Sequence, residues 1–209
     1  MPVVETASRA RVDKREAILA AAFEVFARRG YAQACVKEIA EVAGVAKPTV
    51  YNHLNDKETL FRHAMDAAAE AVSARDLAVV ERLREPGDDL RATLEDVAYR
   101  LVRTCDDERS RALRWLTYAQ VARFPDLIDA VHARTGVRLA EALADRLARL
   151  VLSGHLRPCE PADAAEHLLA LLTGPMEARS GLGTRKVPAA EMRAVAVSAV
   201  NVFLRAYGT

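Results

Sequence analysis

The sequence has little of what marks secreted, membrane-spanning or disulfide-stabilised proteins. Its three cysteines, Cys35, Cys105 and Cys159, are an odd and scattered set that fits a reducing cytoplasm better than a disulfide scaffold. No run of about 18 uninterrupted apolar residues is present, which predicts that no segment crosses a membrane. Charged residues precede and interrupt the first apolar stretch, so the N-terminus lacks the pattern of a signal peptide. We therefore expect a cytoplasmic protein without a membrane partner.

Enzyme motifs are also missing. The sequence has no Gly-rich phosphate loop and no Gly-x-Ser-x-Gly turn around a nucleophile. His155, Cys159 and His167 come nearest to a metal or Cys–His catalytic set, but their spacing matches no zinc pattern and two prolines separate them. The sequence therefore predicts no catalytic residue, no metal site and no cofactor.

The residues that are abundant favour helices. Half of the 209 residues are apolar, with many alanines and few runs of β-branched residues, and the net charge is only +1. Arg9, Arg11 and Arg15 form an N-terminal arm that either reaches DNA phosphates or is an ordinary solvated tail, and both alternatives stay open. Four of the five lysines lie in the first 63 residues, namely Lys14, Lys37, Lys47 and Lys57.

Residues 36–54 predict two short helices joined by a tight turn. Gly44 supplies the left-handed residue that ends a helix at low cost, and Val45 should enter the core between the helices. Pro48 suits the first turn of the next helix, where its missing N–H is not needed. That helix, residues 47–54, is short and polar, which packing alone explains poorly. We interpret it as a recognition helix for the DNA major groove.

The flanking residues predict two further helices around this pair. Asp13 and Glu16 form a capping pair for a helix that should end at Gly30. Asn55 and Glu58 repeat the arrangement before a long fourth helix. The order is therefore a helix, a helix-turn-helix and a long connecting helix, all in the first third of the chain.

The segment 21–65, in particular FARRGYAQACVKEIAEVAGVAKPTVYNHLNDKETLF, resembles the TetR (tetracycline-repressor-like) family of bacterial one-component transcriptional regulators. Its glycine, its turn, Tyr51, His53 and Lys57 all fall in register with the family motif. The resemblance implies an all-α protein of about nine helices. It implies a helix-turn-helix DNA-binding domain over residues 1–56 and a larger effector-binding and dimerisation domain over residues 57–209.

The resemblance also implies roles for residues at the DNA. Tyr51 and His53 should contact phosphates, and Lys57 should bind a phosphate with help from the helix dipole. Cys35 and Ala46 depart from the family, which commonly has Ser or Thr there, and Leu54 replaces a usual Phe. The full set of expected DNA-contacting residues is Cys35, Val36, Lys37, Ala46, Lys47, Pro48, Thr49, Tyr51, Asn52, His53 and Lys57, of which Lys47, Pro48 and Thr49 should face base edges.

Family members of this type hold a small molecule between the fourth and eighth helices, which implies an effector site in the second domain. Gly174 and Pro175 interrupt an apolar run and predict a kink that opens a cavity. Because few ionisable residues interrupt the apolar stripes, we expect a largely apolar effector, although the same side chains could simply be core. The candidate pocket residues are Met65, Tyr99, Arg103, Trp115, Tyr118, Leu143, Leu147, Leu171 and Met176.

The last two predicted helices carry apolar stripes that either pack on their own domain or form a dimer. In TetR-like proteins the equivalent pair joins its symmetry mate in a four-helix bundle, and a palindromic operator needs two recognition helices related by a twofold axis. We therefore predict a homodimer. The candidate interface residues are Leu168, Leu172, Met192, Val195, Ala199 and Phe203.

The sequence thus predicts a homodimeric transcriptional repressor that a small molecule releases from its operator. Two alternatives stay open. A thiol or redox response through Cys35 would use the lowered pKa expected of a cysteine at a helix N-terminus near lysines. Alternatively, a helical ligand-binding protein could have lost DNA binding, because Ala46 and Cys35 depart from the family pattern and the first 63 residues carry only ten Arg and Lys against eight Asp and Glu.

Overall fold

The computed structural model describes residues 3–54, 56–181 and 183–209, and the side chains from residue 14 onward except that of His53. The described residues form helices and connecting turns, with one isolated antiparallel bridge between Leu156 and Gly208. The predicted all-α fold is therefore confirmed. None of the described helices is long and apolar enough to cross a membrane.

The chain divides into two compact units, and the first runs through Ala71 and includes Ala112–Val131. Helix α4 contributes residues to both units. The domain boundary at residue 56 stays a prediction, because the start of α4 and a segment beyond residue 111 also pack into the first unit. The helices of the first unit are α1 (Val3–Gln33), α2 (Val36–Val42), α3 (Lys47–His53), the start of α4 (Lys57–Val80), most of α6 (Glu108–Ala119) and α7 (Asp126–His132).

Helix α1 begins earlier than predicted. It starts at Val3, so Asp13 and Glu16 lie inside the helix and do not cap it. Residues 3–12 contain no glycine or proline to stop the helix, so the predicted capping pair was not needed as a start. Gly30 does interrupt the helix as predicted, with φ 73° and ψ 163°. The arm that carries Arg9 and Arg11 is therefore helical from Val3, and those two side chains lie outside the described residues.

The core of the first unit is built around four aromatic rings. Phe61 lies edge-on to Phe26 and Tyr31, with ring centroids 4.9 and 5.0 Å apart, and Tyr31 lies edge-on to Phe124 at 5.2 Å. Such edge-to-face pairs are favourable beyond the area that they bury. They connect α1, α4 and the turn before α7. Val121 is 41 % exposed in the turn that follows α6.

The second unit packs the remaining helices around one apolar core. Asp89 caps α5 by accepting a hydrogen bond from Ala92 N, and Pro161 begins α9. The helix α9 continues through Pro175, so the predicted kink at Gly174 and Pro175 does not end it. The helices of the second unit are the end of α4, a 3-10 turn (Glu81–Arg84), α5 (Leu90–Cys105), α8 (Arg138–Leu152), α9 (Pro161–Ser180) and α10 (Ala189–Tyr207).

The expected number of about nine helices is close to what the described residues form. They contain ten α-helices when α7 and α8 are counted separately. A π-helical turn, Ala133–Val137, lies between these two helices and contains Gly136. Such turns insert one residue into a helix without breaking it.

Candidate nucleic-acid interface

The turn between α2 and α3 has the geometry that its sequence predicts. Gly44 adopts φ 66°, and a Cβ atom built there would meet no heavy atom within 4 Å, so the left-handed backbone rather than crowding favours glycine. Val45 N donates to Ala40 O at 3.0 Å, which satisfies a carbonyl at the end of α2. Thr49 N then donates to Ala46 O at 2.8 Å and starts α3. The two helices are thus joined by a short turn that backbone hydrogen bonds hold at both ends.

Helix α3 is held in place by two apolar residues. Val50 and Leu54 are buried, and Val45, predicted to enter the core, is only half-buried. Leucine at position 54 therefore fills the place at which the family usually has Phe. The remaining side chains of the helix project outward: Lys47, Pro48, Tyr51 and Asn52 are exposed and Thr49 is half-buried. His53 is predicted to contact a phosphate, and its side chain lies outside the described part of the structure.

The exposed face of α3 is polar and carries a cation. The Lys47 Nζ atom lies 5.7 Å from the centroid of the Tyr51 ring. A short helix that buries two residues and exposes an ammonium, a phenol and an amide has few reasons to exist for packing alone. Those exposed groups are the donors and acceptors that read base edges and phosphates in a groove.

The start of α2 has no conventional cap. Cys35 occupies the N-cap position with an extended backbone and makes no side-chain cap hydrogen bond, and Ala46 does the same before α3. The thiol of Cys35 is exposed, and the nearby amide N–H groups of Lys37 and Glu38 lower its pKa, with a further contribution from the charge of Lys47. Val36, one of the expected DNA-contacting residues, is buried and packs against the protein.

Lys57 is engaged by the protein itself. Its Nζ atom donates to Ala32 O at 3.0 Å and lies 4.9 Å from the Tyr31 ring centroid. Burial lowers the pKa of its ammonium group. This lysine therefore ties the start of α4 to the end of α1, and its expected phosphate contact stays a prediction.

The start of α4 is fixed by residues that the sequence pattern did not identify. Asn55 lies outside the described residues, and Asp56 provides the cap: its Oδ1 accepts from Thr59 N at 2.8 Å. This hydrogen bond, with that of the Thr59 hydroxyl, lowers the pKa of Asp56. One turn later Arg62 pairs with Asp126 through Nη1 at 2.6 Å and Nη2 at 3.3 Å. Nothing in the sequence indicates a pair 64 residues apart.

The candidate effector residues do not form one pocket. Met65 is buried in the first unit, in which Trp115 and Tyr118 are 51 % and 63 % exposed. In the second unit Leu143, Leu147 and Met176 belong to the packed apolar core, with Leu171 against it. Tyr99 and Arg103 line an open groove of about 720 Å³ on the same unit. The structure therefore brings these residues together only in small sets, and their role in ligand binding stays a prediction.

The candidate dimer residues are all buried within the protomer. The side chain of each candidate is at least nine-tenths buried, because the apolar stripe that contains these residues faces α5 and the rest of the core. They have no exposed surface to offer a second copy, so a dimer would have to use other faces of α9 and α10. The residues concerned are Leu168, Leu172, Met192, Val195, Ala199 and Phe203.

Two of the residues weighed as a metal or thiol set have other hydrogen-bond partners. His155 Nδ1 is 2.7 Å from Ser153 Oγ, and His167 Nδ1 is 2.5 Å from Tyr207 OH. Burial and the nearby Glu160 carboxylate raise the pKa of Cys159. Within the described residues no group of three or more His, Cys, Asp or Glu side chains could hold a metal ion.

Comparisons with known proteins agree with the helix-turn-helix geometry. Residues 18–64 match the model described as bacterial regulatory proteins of the tetR family, and residues 92–209 match the C-terminal domain of AefR-like transcriptional repressors. A putative TetR-family regulator from Mesorhizobium loti superposes with a TM-score of 0.88 at 32 % identity, covering 95 % of this chain and 98 % of that one.

Two curated regulators match parts of the chain. The regulator AcrR of Shigella flexneri is 30 % identical over 101 residues, which is 48 % of this chain and 46 % of AcrR. The activator FasR of Mycolicibacterium smegmatis is 47 % identical over 51 residues, 24 % of this chain and 23 % of FasR. The chain thus spans about half of one curated relative and about a quarter of the other. Because the two family models together match more than half of its residues, the chain belongs to the TetR family of bacterial transcriptional regulators, which are not enzymes.

Proposed function

We propose that this protein is a homodimeric repressor that binds a palindromic operator through α3 and is released from it by a small molecule. The observation that carries the proposal is the exposed polar face of α3, held by buried Val50 and Leu54. Lys47 and Thr49 are the proposed base-edge contacts, and Tyr51 is the proposed phosphate contact. Repression rather than activation is favoured by the AefR-like repressor type of the C-terminal domain.

The proposed dimer surface is the outer face of α10, opposite its buried stripe. It is a shallow, open groove of about 760 Å³. Three of its eight lining residues are Ala or Ser, which lets the backbone of a second helix approach closely there, and Val202 is 48 % exposed although apolar. The lining residues are Ala190, Arg193, Ala194, Val197, Ser198, Asn201, Val202 and Arg205.

The exposed face of α9 is a suitable counterpart for α10 in a second copy. It carries the acidic residues Glu166 and Glu177, whereas α10 exposes Arg193 and Arg205, so a twofold arrangement would pair opposite charges. Gly174 lies on the same α9 face, and a Cβ atom there would meet no heavy atom within 4 Å. Glycine lowers the stability of a helix, and no contact within the protomer requires a glycine at position 174. The proposed reason for Gly174 is therefore the close approach of a helix from a second copy.

Helix α4 is the proposed route from effector to DNA. It contributes residues to both units and starts beside α3, next to the Lys57 and Arg62 contacts. A ligand that displaces the second half of α4 would also move its first turns and alter the spacing of two recognition helices in a dimer.

A mobility-shift assay with DNA from upstream of the protein's own gene tests the proposal. The wild type should retard this DNA more strongly than random DNA of equal length. A double variant, Lys47→Ala with Asn52→Ala, should lose the difference while its helical circular dichroism is unchanged, because both side chains are exposed. Glu85→Gln, at an exposed position to which no role is assigned, serves as a surface control. If no upstream fragment is retarded, the alternative of a helical ligand-binding protein without DNA binding is favoured.

A thiol response remains a second candidate because Cys35 is exposed and the pKa of its thiol is lowered. Oxidation at this position would add a polar group beside α3, whereas Cys35→Ser would not oxidise. Loss of DNA retardation by the wild type in mild peroxide, with retention by Cys35→Ser, would favour this candidate. Equal behaviour of the two proteins would remove it.

A further inference from the structure

The open groove of about 720 Å³ on the second unit lies between α5, the start of α6 and the start of α10. Its volume is in the range of small-molecule sites. It shares no lining residue with the proposed dimer surface on α10, so a dimer formed there would leave it lined by the same side chains. We call this groove, whose walls include Tyr99, Arg103, Asp106, Arg111 and Met192, the α5–α10 groove.

Two guanidinium groups in the α5–α10 groove have no carboxylate partner. Arg103 and Arg111 form no ion pair within the described residues, and Arg103 instead lies 5.8 Å from the centroid of the Tyr99 ring. Of the acids beside them, Asp107 already pairs with Arg75 of α4, and Glu108 is exposed to solvent. The two arginines are therefore available to an anion from outside the chain, which they can bind with charge-assisted hydrogen bonds.

The start of α10 adds to the attraction for an anion. The N-cap residue is Pro188, and no side chain caps the N–H groups of the first turn. Pro188 and Ala189 line the groove, so these N–H groups and the positive end of a 19-residue helix are close to it. A helix start of this kind favours a negatively charged ligand group beside it.

One buried acceptor in the groove lacks a partner. Asp106 is 5 % exposed, and its Oδ2 accepts from Val187 N at 3.1 Å. Its Oδ1 has no hydrogen bond within the described residues. Because buried polar groups are normally satisfied, this oxygen indicates a hydrogen-bond donor from outside the chain. An ionised acid group offers no donor, whereas a hydroxyl group donates without adding charge.

We infer that the α5–α10 groove binds an amphiphilic organic anion that also carries a hydroxyl group. Arg103 and Arg111 bind the anionic group, and Asp106 Oδ1 accepts from the hydroxyl. The apolar part of the ligand lies against Val187 and Met192, which line the groove. The inference rests on the proposed function and deepens it by naming the chemistry of the effector, because it adds an anionic group and a hydroxyl to the expected apolar body.

The groove also has a direct connection to α4, the proposed route to the DNA. Asp107 lines the groove and forms its ion pair with Arg75 of α4. The next residue of α4, Asp76, accepts through Oδ1 from Thr104 Oγ1 of α5 at 2.5 Å. An anion bound beside Asp107 repels its carboxylate and weakens its hold on Arg75. Binding in the groove would therefore act on α4 through a contact that the structure already contains.

Calorimetry with the full chain and three probes of one eight-carbon skeleton tests the inference. The probes are 8-hydroxyoctanoate, octanoate and octane-1,8-diol, which at pH 7 are an anion with a hydroxyl, an anion without one and a neutral diol. The hydroxy acid should bind about tenfold more tightly than the diol, with octanoate between them. Octanoate or the diol binding as tightly as 8-hydroxyoctanoate, or no binding of the hydroxy acid up to millimolar concentration, would overturn the inference.

Variants locate the anionic group. Arg103→Gln removes the charge and keeps a polar side chain, so the affinity for both acids should fall about tenfold and that for the diol should change little. Arg111→Gln should act in the same direction. Arg100→Gln is the matched control, because this arginine of the same helix is exposed, pairs with Asp96 and does not line the groove. A loss of acid affinity in Arg100→Gln equal to that in Arg103→Gln would contradict the assigned position.

A further variant locates the hydroxyl. In Asp106→Asn the amide oxygen can keep the hydrogen bond from Val187 N, and the NH2 group replaces the acceptor without a partner. The advantage of 8-hydroxyoctanoate over octanoate should then disappear, while the affinity for octanoate should not fall. An advantage that persists in this variant would overturn the assignment of Asp106. If Asp106→Asn does not fold, as judged by circular dichroism, the two arginine variants carry the test.

A mobility-shift measurement with the same proteins separates the inference from the proposed function. Operator retardation that 8-hydroxyoctanoate relieves in the wild type and not in Arg103→Gln supports both. Binding that is indifferent to Arg103→Gln and Arg111→Gln, in a protein that retards the operator, overturns the inference alone. Binding that depends on Arg103 in a protein that retards no DNA overturns the proposed repressor and leaves the site standing.

Discussion

Helices α3 and α10 are both amphipathic, yet the predictions made from their apolar residues compare differently with the structure. In α3 the buried residues are Val50 and Leu54, and the polar remainder is exposed, as the recognition-helix interpretation requires. In α10 the apolar stripe that includes Met192 and Phe203 was assigned to a dimer interface and is instead the core of the protomer. The pattern of a helix thus identifies its buried face and does not identify the partner that covers it.

The length of the two helices explains the difference. Helix α3 has seven residues and can bury only one small patch, so the exposed remainder is easy to recognise. Helix α10 has 19 residues and presents a second face of small and mixed residues that a hydropathy pattern does not separate from ordinary surface. The proposed dimer contacts lie on that second face. Substitutions on the two faces of each helix can therefore break or sharpen this comparison.

The largest effect is expected for Ala199→Glu on the buried face of α10. A carboxylate placed in the core without a partner should lower the free energy of unfolding by about 3–5 kcal/mol, measured by urea denaturation. Ala194→Glu, on the exposed face of the same helix, should leave the helical circular dichroism intact and shift sedimentation from dimer to monomer. If Ala199→Glu were stable and monomeric while Ala194→Glu stayed dimeric, the interface would lie on the buried stripe after all.

The next largest effect is expected for Leu54→Ala. Removal of a buried leucine at the end of α3 should cost about 2–5 kcal/mol of unfolding free energy and should weaken binding to all DNA. Tyr51→Ala, on the exposed face, is the matched control and should change stability by less than about 0.5 kcal/mol. Comparable destabilisation by the two variants would show that α3 does not have the proposed inner and outer faces.

Within the outer face, Thr49 and Lys47 should act differently. Thr49→Val keeps the shape and removes the hydroxyl, so operator binding should weaken by about 1–3 kcal/mol and random-DNA binding should hardly change. Lys47→Ala removes a charge as well as a base contact and should also lower the salt dependence. Isotherms on both DNAs at two salt concentrations measure this. Equal losses for Thr49→Val on both DNAs would contradict the placement of the helix.

A smaller effect is expected for Lys57→Ala. Loss of the hydrogen bond to Ala32 O and of the contact with the Tyr31 ring should lower unfolding free energy by about 1 kcal/mol. If Lys57 also binds phosphate, the salt slope should fall by about one unit per subunit. Lys186→Ala, an exposed lysine of the second unit, controls for the loss of charge alone. An unchanged salt slope with reduced stability would assign Lys57 a structural role only.

The smallest effect concerns Cys35 and Cys159, whose thiol pKa values are shifted in opposite directions. The pKa of Cys35 is lowered by amide N–H groups, and that of Cys159 is raised by burial. Because the thiolate is the reactive form, iodoacetamide at pH 7 should modify Cys35 before Cys159. Mass spectrometry of partially alkylated protein measures the order. The reverse order would contradict the electrostatic environment assigned to α2.

The DNA-binding helices could be predicted because their signals are local. Gly44 and Pro48 act within a few residues of themselves, and both were identified correctly. Contacts between distant residues carry no such signal. The Arg62–Asp126 pair and the bond from Thr104 to Asp76 depend on which helices meet. The candidate pocket residues lie in separate places for the same reason. Trp115 and Leu143 are both apolar, but Trp115 is exposed in the first unit and Leu143 is buried in the second.

The sequence by itself determined the helical class, the helix-turn-helix and the residues that α3 exposes, because glycine and proline geometry and a two-residue apolar patch act locally. Only the tertiary structure decided the rest. It placed the α10 stripe in the core, engaged Lys57 at the end of α1 and buried Ser73 with Asp76 on α4. These outcomes depend on which surfaces meet, and burial against one neighbour or another leaves the same periodicity in the sequence.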